Sequence, residues 1–179
     1  MSWLENYQPL TGVRLNMVAG PGGELIDDLG SSRGISNDLD RKLIGQLRSV
    51  SDALVTGGNT ARRENYKNSQ TLQLFVISHL ERSADGRIIL TPPENVHLGT
   101  WVLSTLRYLG FERILLEVGP SLAKEFLAAD LVDEFCLTIP VGGLEVAKKV
   151  IKGLDSSLVI SESLMKEQTL FTRWRRGND

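Results

Sequence analysis

The chain has 179 residues, 41% hydrophobic and 23% charged, enough to bury one sizeable core. Its 20 basic residues against 22 acidic ones give a net charge of −2 with no long single-sign block, which excludes the charge footprint of a nucleic-acid-binding protein or a polybasic membrane anchor. No apolar stretch is long enough to span a bilayer, and the opening MSWLENYQPL lacks the basic-then-apolar order of a secretory signal. The expectation is one cytoplasmic domain over 1–179, with 1–11 as a flexible N-terminal arm.

Residues 12–19 alternate towards a buried strand. The segment GPGGELIDDLGSSRGIS, 20–36, then supplies five glycines and several small polar residues. It reads as a long loop of the functional or mobile kind, with a short strand at 24–26. Asn37 or Asp38 caps a helix in which Leu39, Leu43, Ile44 and Leu47 share a face. Ala53-Leu54-Val55 forms a short buried strand over 52–56. Gly57-Gly58 then reads as a sharp turn that tolerates no Cβ, followed by a helical or irregular stretch to Tyr66.

Residues 72–78 are a continuous apolar run of the sort found in the middle of a parallel sheet. The polar, proline-broken stretch 79–97 holds a minor strand at 87–90, and 98–109 has helical periodicity ended by Gly110. A strand over 113–117, a turn over 118–121 and a helix over 122–129 follow, with Pro120 near the first helical position, where a missing N–H costs nothing. Residues 134–139 make another strand, placed near a sheet edge, and 158–163 with 168–174 a closing antiparallel pair. The fold class is α/β: a three-layer α/β/α sandwich with a mainly parallel central sheet and antiparallel C-terminal edge strands.

The single Cys136 rules out an internal disulfide and a thiolate cluster, and within Phe135-Cys136-Leu137 it reads as a buried small hydrophobe. His79 and His97 stand apart from any grouping at ligand spacing, and no Gly-x-Ser-x-Gly elbow occurs, so both read as surface histidines and no metal is expected.

Two strand-to-helix turns carry the chemistry: Thr56-Gly57-Gly58-Asn59-Thr60 and Glu117-Val118-Gly119-Pro120-Ser121-Leu122. In an open α/β sheet, ligands collect beyond the carboxyl ends of the strands, where such turns expose amides at helix N-termini, a setting that suits phosphate. Neither turn is a G-x-G-x-x-G fingerprint, and Gly20-Pro21-Gly22-Gly23 is not one either. Glu117, closing the run Ile114-Leu115-Leu116, is a strand-end carboxylate near the core and needs a partner or a ligand. Arg48, at a helix end, either complements the helix dipole or serves the site. Arg62, Arg63, Arg173, Arg175 and Arg176 read as solvated surface charge.

With these residues in order, the chain resembles the C-terminal reductase domain of the riboflavin-biosynthesis deaminase/reductase proteins, a dihydrofolate-reductase-like fold, and in particular its stand-alone pyrimidine-reductase-like versions. The segments that carry the likeness are Arg14-Leu15-Asn16-Met17-Val18-Ala19, Gly34-Ile35-Ser36 with Asp40-Arg41 and Leu47-Arg48, Asp52 through Thr60, Arg62-Arg63-Glu64-Asn65-Tyr66, Leu116 through Leu122, and Ala128 through Thr138.

The resemblance implies NADPH as cofactor and hydride transfer to a ribosylamino-pyrimidine 5′-phosphate. On the aligned motifs it places Gly119, Pro120, Ser121 and Leu122 at the cofactor pyrophosphate. Gly58, Thr60 and Glu64 would line the same cleft, and Ala19 and Gly34 would lie close to the nicotinamide. Ser32, Arg48 and Glu117 would bind the substrate, Arg48 at its phosphate or a neighbouring polar group and Glu117 facing the pyrimidine. Arg62 or Arg63 would meet the cofactor's 2′-phosphate. No catalytic residue is assigned. A homodimer is implied as well, supported by the apolar strand 134–139 at its expected edge position.

The family's first loop reads Ala-Ser-Leu-Asp-Gly or Ala-Ser-Val-Asp-Gly, where this chain has Ala19-Gly20-Pro21-Gly22-Gly23. Loss of that serine and aspartate bears on rate and substrate recognition more than on cofactor binding. Two other readings therefore stay open: a non-catalytic nucleotide- or pterin-binding dimer of the same fold, and a structural dimerisation domain in which the glycine turns are only turns.

Overall fold

Five of the apolar runs become the strands of a parallel sheet: β1 (Gly12–Val18), β2 (Ala53–Gly57), β3 (Gln73–Ile77), β5 (Arg113–Leu116) and β6 (Glu134–Ile139). The structure, a computed structural model, describes residues 2–64, 66, 71–80 and 86–177. A short β4 (Ile88–Leu90) adds a parallel edge, and a long hairpin of β7 (Leu158–Lys166) and β8 (Thr169–Arg176) joins antiparallel through β8 against β6. The order across the sheet is β4-β3-β2-β5-β1-β6-β8-β7. Central strands covered on both faces have no solvent side to alternate with, which is why they read as unbroken apolar runs.

The helices are α1 (Asp38–Ser49), α2 (Gly58–Glu64), α3 (Leu98–Tyr108), α4 (Pro120–Ala128) and α5 (Leu144–Leu154). One face of the sheet packs Val13, Leu15, Val55, Phe75, Leu116 and Phe135 against α3, α4 and α5. The other packs Leu54, Leu74, Val76, Leu115 and Cys136 against Leu39, Leu43 and Leu47 of α1 and Ala61 of α2. This is the expected three-layer α/β/α sandwich with antiparallel C-terminal strands. Asn37 caps α1 by accepting from Asp40 N at 2.9 Å, and Gly110 closes α3 at φ +90°.

Several elements differ from the sequence expectation. β6 lies inside the sheet, between β1 and β8, so the edge argument attached to 134–139 falls; the edges are β4 and β7. Helix α5 was not anticipated, although Leu144, Ala147, Val150, Ile151 and Leu154 recur at helical spacing and Ala147, Val150 and Ile151 are buried. No strand forms at 24–26. The loop is instead organised by Asp27, whose carboxylate accepts N–H bonds from Leu29 and Ser31 at 2.9 Å and from Gly34 at 3.2 Å.

Residues 2–11, expected as an arm, are packed down. A 3-10 turn at Trp3–Asn6 is held by a capping box between Ser2 and Glu5; the Trp3 ring lies 4.4 Å from Phe171, Tyr7 is buried, and Gln46 donates to Tyr7 O at 3.2 Å. The buried Tyr7 ring and the half-buried Trp3 ring, both packed on the sheet, tie down a segment whose sequence shows little periodicity.

Beneath this segment lies a buried ion cluster. Arg14 and Glu134, partners in register across β1 and β6, bond at 2.8 Å, and Arg175 reaches the other Glu134 oxygen at 2.8 Å. Arg173 lies over the Tyr7 ring and pairs with Glu134 and Glu162, and Arg176 pairs with Asp130 and Asp155. The reading of Arg173, Arg175 and Arg176 as solvated charge is thereby corrected: β8 turns them inward or onto acidic partners. Burial pushes the Glu134 carboxyl up, but Arg175, Arg14 and Arg173 outweigh it and hold the group below its ordinary range. A carboxylate lowered in the folded state stabilises above its unfolded pKa, about 4.3 for Glu, and that contribution disappears as pH falls through the lowered folded value. Urea midpoints measured from neutral pH down through that window are expected to fall, and Glu134→Gln to flatten that part of the profile.

Candidate functional site

β2 and β5 are parallel neighbours, with Val55 opposite Leu116 and Glu117 N donating to Val55 O at 2.9 Å. Their exits therefore open side by side at one end of the sheet, and α2 and α4 start there together. Gly57 makes no turn; it is the last residue of β2 and Gly58 the first of α2, and neither has a positive φ. The need for glycine at 57 is spatial, since a Cβ there would stand 2.9 Å from Leu122 Cδ1 of α4. Across the same junction a Cβ on Gly119 would lie 3.8 Å from Thr60 Oγ1. Gly119 is the N-cap of α4 and brings no capping side chain, and Pro120 opens the helix. The first amides of α4 thus lie at the junction, carrying the positive end of the helix dipole.

An open cleft lies over this junction, floored by Asn16, Met17 and Val18 of β1 and walled by α1, α2 and the 20–36 loop. On one wall, Arg48 of α1 grips Glu117 with two parallel bonds, Nε to Oε1 at 2.9 Å and Nη2 to Oε2 at 2.5 Å. Tyr66 donates its hydroxyl to Glu117 Oε2 at 2.7 Å while its ring lies 4.9 Å below the Arg48 guanidinium. Burial disfavours the Arg48 cation, yet the Glu117 carboxylate and Tyr66 outweigh it and hold the guanidinium charged. Both Glu117 oxygens are thereby occupied from within the protein, and what this wall presents to the cleft is a fixed guanidinium edge.

Two further polar groups reach the cleft from behind. Asn16 is 7% exposed and Asp40 of α1 wholly buried, and the Oδ1 atoms of both lack a hydrogen-bond partner. Asp40 Oδ2 accepts from Ser36 at 2.7 Å. Burial, helped by the Glu117 charge, pushes the Asp40 carboxyl above its ordinary value against the opposing pull of Ser36 and Thr138. Among the described residues no cluster of His, Cys, Asp and Glu could hold a metal ion.

Of the residues singled out in the sequence, Ser32, Arg48, Thr60, Arg63, Glu117, Gly119 and Pro120 line this cleft together. The others lie beside it. Ala19 is buried with its amide bonded to Thr138 O; Gly34 is exposed and tied to Asp27; Gly58 is buried at the start of α2; Ser121 is exposed on α4; Leu122 packs on Gly57. Glu64 ends α2, and its side chain lies outside the described residues. Sequence reasoning missed Asn16, Asp40, Tyr66 and the latch between Arg63 Nη1 and Gly30 O, 2.8 Å long. Arg62 bonds to Asn59 Oδ1. The polar Asn16 and Asp40 inside otherwise apolar patterns were the available signal.

The altered loop has its own logic. The Glu24 carboxylate folds over Gly20 and Gly22, and a Cβ on Gly22 would stand 2.6 Å from its Oε2, so the glycines here make room for an acid from farther along the loop. Lys149 of α5 anchors the same loop through Gly22 O at 3.0 Å.

Tyr66→Phe tests the wall. Loss of the hydroxyl is expected to lower stability by about 1–2 kcal/mol in urea unfolding, because Glu117 Oε2 loses one of its two donors while Arg48 keeps its hold.

An eight-stranded sheet with helices on both faces and a cleft at the ends of its parallel strands is the dihydrofolate-reductase-like arrangement. Residues 13–142 match the RibD C-terminal domain, and the chain belongs to that family. Solved structures agree on the fold. A pyrimidine reductase-like protein from Corynebacterium diphtheriae is 19% identical, with a TM-score of 0.75 over 100% of this chain and 96% of its own. The riboflavin biosynthesis reductase of Saccharomyces cerevisiae is 12% identical, with a TM-score of 0.71 over 98% of each chain. Dihydrofolate reductase from Enterococcus faecalis, complexed with NADP(H), is 12% identical, with a TM-score of 0.59 over 95% of this chain and 99% of its own. A search of curated proteins finds no match. Among the described residues no helix is long and apolar enough to cross a membrane.

Proposed function

We propose that the protein is an NADPH-dependent reductase of a ribosylamino-pyrimidine 5′-phosphate, reducing the ribosyl part to a ribityl chain as 5-amino-6-(5-phosphoribosylamino)uracil reductase does in riboflavin biosynthesis. The observation that carries the reading is the pairing, across one cleft, of the side-chain-free N-terminus of α4 with the Arg48 guanidinium fixed by Glu117 and Tyr66. The first suits a pyrophosphate and the second an anionic or carbonyl-bearing substrate. Membership of the RibD C-terminal domain family supports a reductase of this pathway.

The residues present fit a dinucleotide. Gly119, Pro120 and Thr60 would hold its phosphates where Leu122 docks on Gly57, and Asn16, Met17 and Val18 would floor the reacting end. When bound, the reduced nicotinamide supplies hydride. The chain's own residues orient the acceptor: Arg48 holds the substrate's polar end, and the apolar surface of Met17, Val18, Leu25 and Ile26 keeps water from the reacting carbon. The non-catalytic reading keeps one supporting observation, the absence of the family's serine and aspartate from 20–23.

NADPH titration followed by the cofactor's own fluorescence is expected to give a sub-millimolar dissociation constant, and no binding would end the cofactor assignment. Loss of the reduced-nicotinamide absorbance on adding the ribosylamino-pyrimidine separates an enzyme from a binder. The homodimer belongs to the same proposal, its support now moved to the open edge strand β7, where Val159 and Met165 are half exposed. Sedimentation of the purified chain as a monomer at micromolar concentration would remove it.

A further inference from the structure

Reduction of an open-chain ribosylimine needs a proton as well as a hydride, and the residues so far placed offer none: Arg48 is permanently charged and Tyr66 is committed to Glu117. Behind the cleft floor sits a cluster that the binding roles leave unused. Asn16 Oδ1 and Asp40 Oδ1 are buried, lack a full hydrogen-bond partner and line the cleft together, and the buried Thr138 hydroxyl lies close enough to Asp40 to favour its carboxylate. Val18 and Thr138 are partners in register on β1 and β6, which puts Asn16 and Thr138 on the sheet face that α1 covers. Buried polar atoms left unpaired are costly, and several gathered at one spot form a site for a water, which needs two to four polar neighbours.

We propose that Asp40 is the proton source of this site, passing its Oδ1 proton to the substrate nitrogen through a water held by Asn16, Asp40 and Thr138. The step rests on the reductase reading and balances as follows. Hydride from the reduced nicotinamide reaches C1 of the imine, the C=N π pair moves to nitrogen, and nitrogen takes a proton from the water as the water takes one from Asp40. Imine becomes amine, the nicotinamide is oxidised, and Asp40 is left as a carboxylate that solvent reprotonates. The groups facing Asp40 keep it ready for this. Burial and the Glu117 carboxylate favour its neutral form, while Ser36, Thr138 and Arg41 oppose them, with Arg48 already paired to Glu117. Because the carboxyl is raised rather than lowered, the protonated form persists to higher pH than an ordinary aspartate allows, and the rate should fall as pH rises through that value.

The test uses Asp40→Asn, which keeps the shape and an acceptor for Ser36, with Asp40→Ser as a second variant should the first fail to fold. NADPH affinity is expected within twofold of the parent, kcat about 100-fold lower, and the alkaline limb of the kcat profile gone. Infrared difference spectra on the protein without substrate supply a readout independent of turnover: a protonated-carboxyl C=O band that titrates away above the ordinary aspartate range, absent from the variant. Unchanged kcat with an unchanged pH profile would overturn the proposal, as would a band in the parent that titrates at or below the ordinary aspartate value. Should the parent bind NADPH but leave the ribosylamino-pyrimidine untouched, the substrate reading fails by itself, and the infrared band still decides whether Asp40 stores a proton.

Discussion

Glu117→Gln is expected to cost about 2 kcal/mol of stability and to lower turnover of the ribosylamino-pyrimidine about 100-fold. Glu117 accepts both Arg48 bonds and the Tyr66 hydroxyl, so one substitution removes the charge that fixes the guanidinium and replaces an acceptor oxygen by an NH₂ that points at donors. Breaking a buried pair from one side costs about 3–5 kcal/mol, but the Arg48 side chain is 37% exposed and water recovers part of the loss, which sets the lower figure. The kinetic loss is expected in kcat and KM together, since a guanidinium no longer held by a carboxylate wanders over several rotamers and the acceptor is bound in many poses. NADPH affinity should change little, because the Glu117 carboxylate bonds to Arg48 and Tyr66 and not to the first turn of α4. Urea unfolding with the NADPH oxidation assay checks both halves. Unchanged turnover would mean that the Arg48–Glu117 pair is only a strut.

Much of the fold is legible because its strands are covered on both faces. Ala53-Leu54-Val55 and Ile114-Leu115-Leu116 show as unbroken apolar runs, and the helix faces of α1 and α3 show as three-and-four spacing. Strand order is another matter. Phe135-Cys136-Leu137 looks the same in an edge strand as between two neighbours, and only the docking of β8 through Thr172 on Leu137 and Trp174 on Phe135 makes β6 internal. The N-terminal segment fails for a related reason, since Trp3 finds Phe171 across the whole length of the chain, a contact no local pattern announces. In the site, both bends were readable as glycine-marked strand exits. Asp40 and Tyr66 were not, because a polar residue on an apolar helix face and a tyrosine after an irregular stretch acquire their meaning from Glu117, far away in sequence.

The same distinction between turn and contact decides the second large effect. Gly57→Val is expected to weaken NADPH binding at least tenfold and to cost about 2 kcal/mol, through overpacking rather than backbone strain. Strain is not the cause, since Gly57 is in extended backbone at the end of β2 and has no positive φ, a conformation that valine favours. What valine lacks is room: its Cβ would stand 2.9 Å from Leu122 Cδ1, and its two methyl groups would press farther into α4. Leu122 cannot yield freely, being packed against the core that holds Ala123, Phe126 and Leu127 of the same helix. Relief therefore comes from moving the first turn of α4 away from α2, which separates the Gly119 amide and the free N–H groups that follow Pro120 from Thr60. The double variant Gly57→Val, Leu122→Ala removes the obstructing methyls and is expected to regain most of the affinity and about half of the stability, a coupling that distant sites would not show. Affinity lost equally in the single and double variants would mean that the junction matters through the flexibility of Gly57 itself, and the picture of two helix starts held in contact around a phosphate would have to be abandoned.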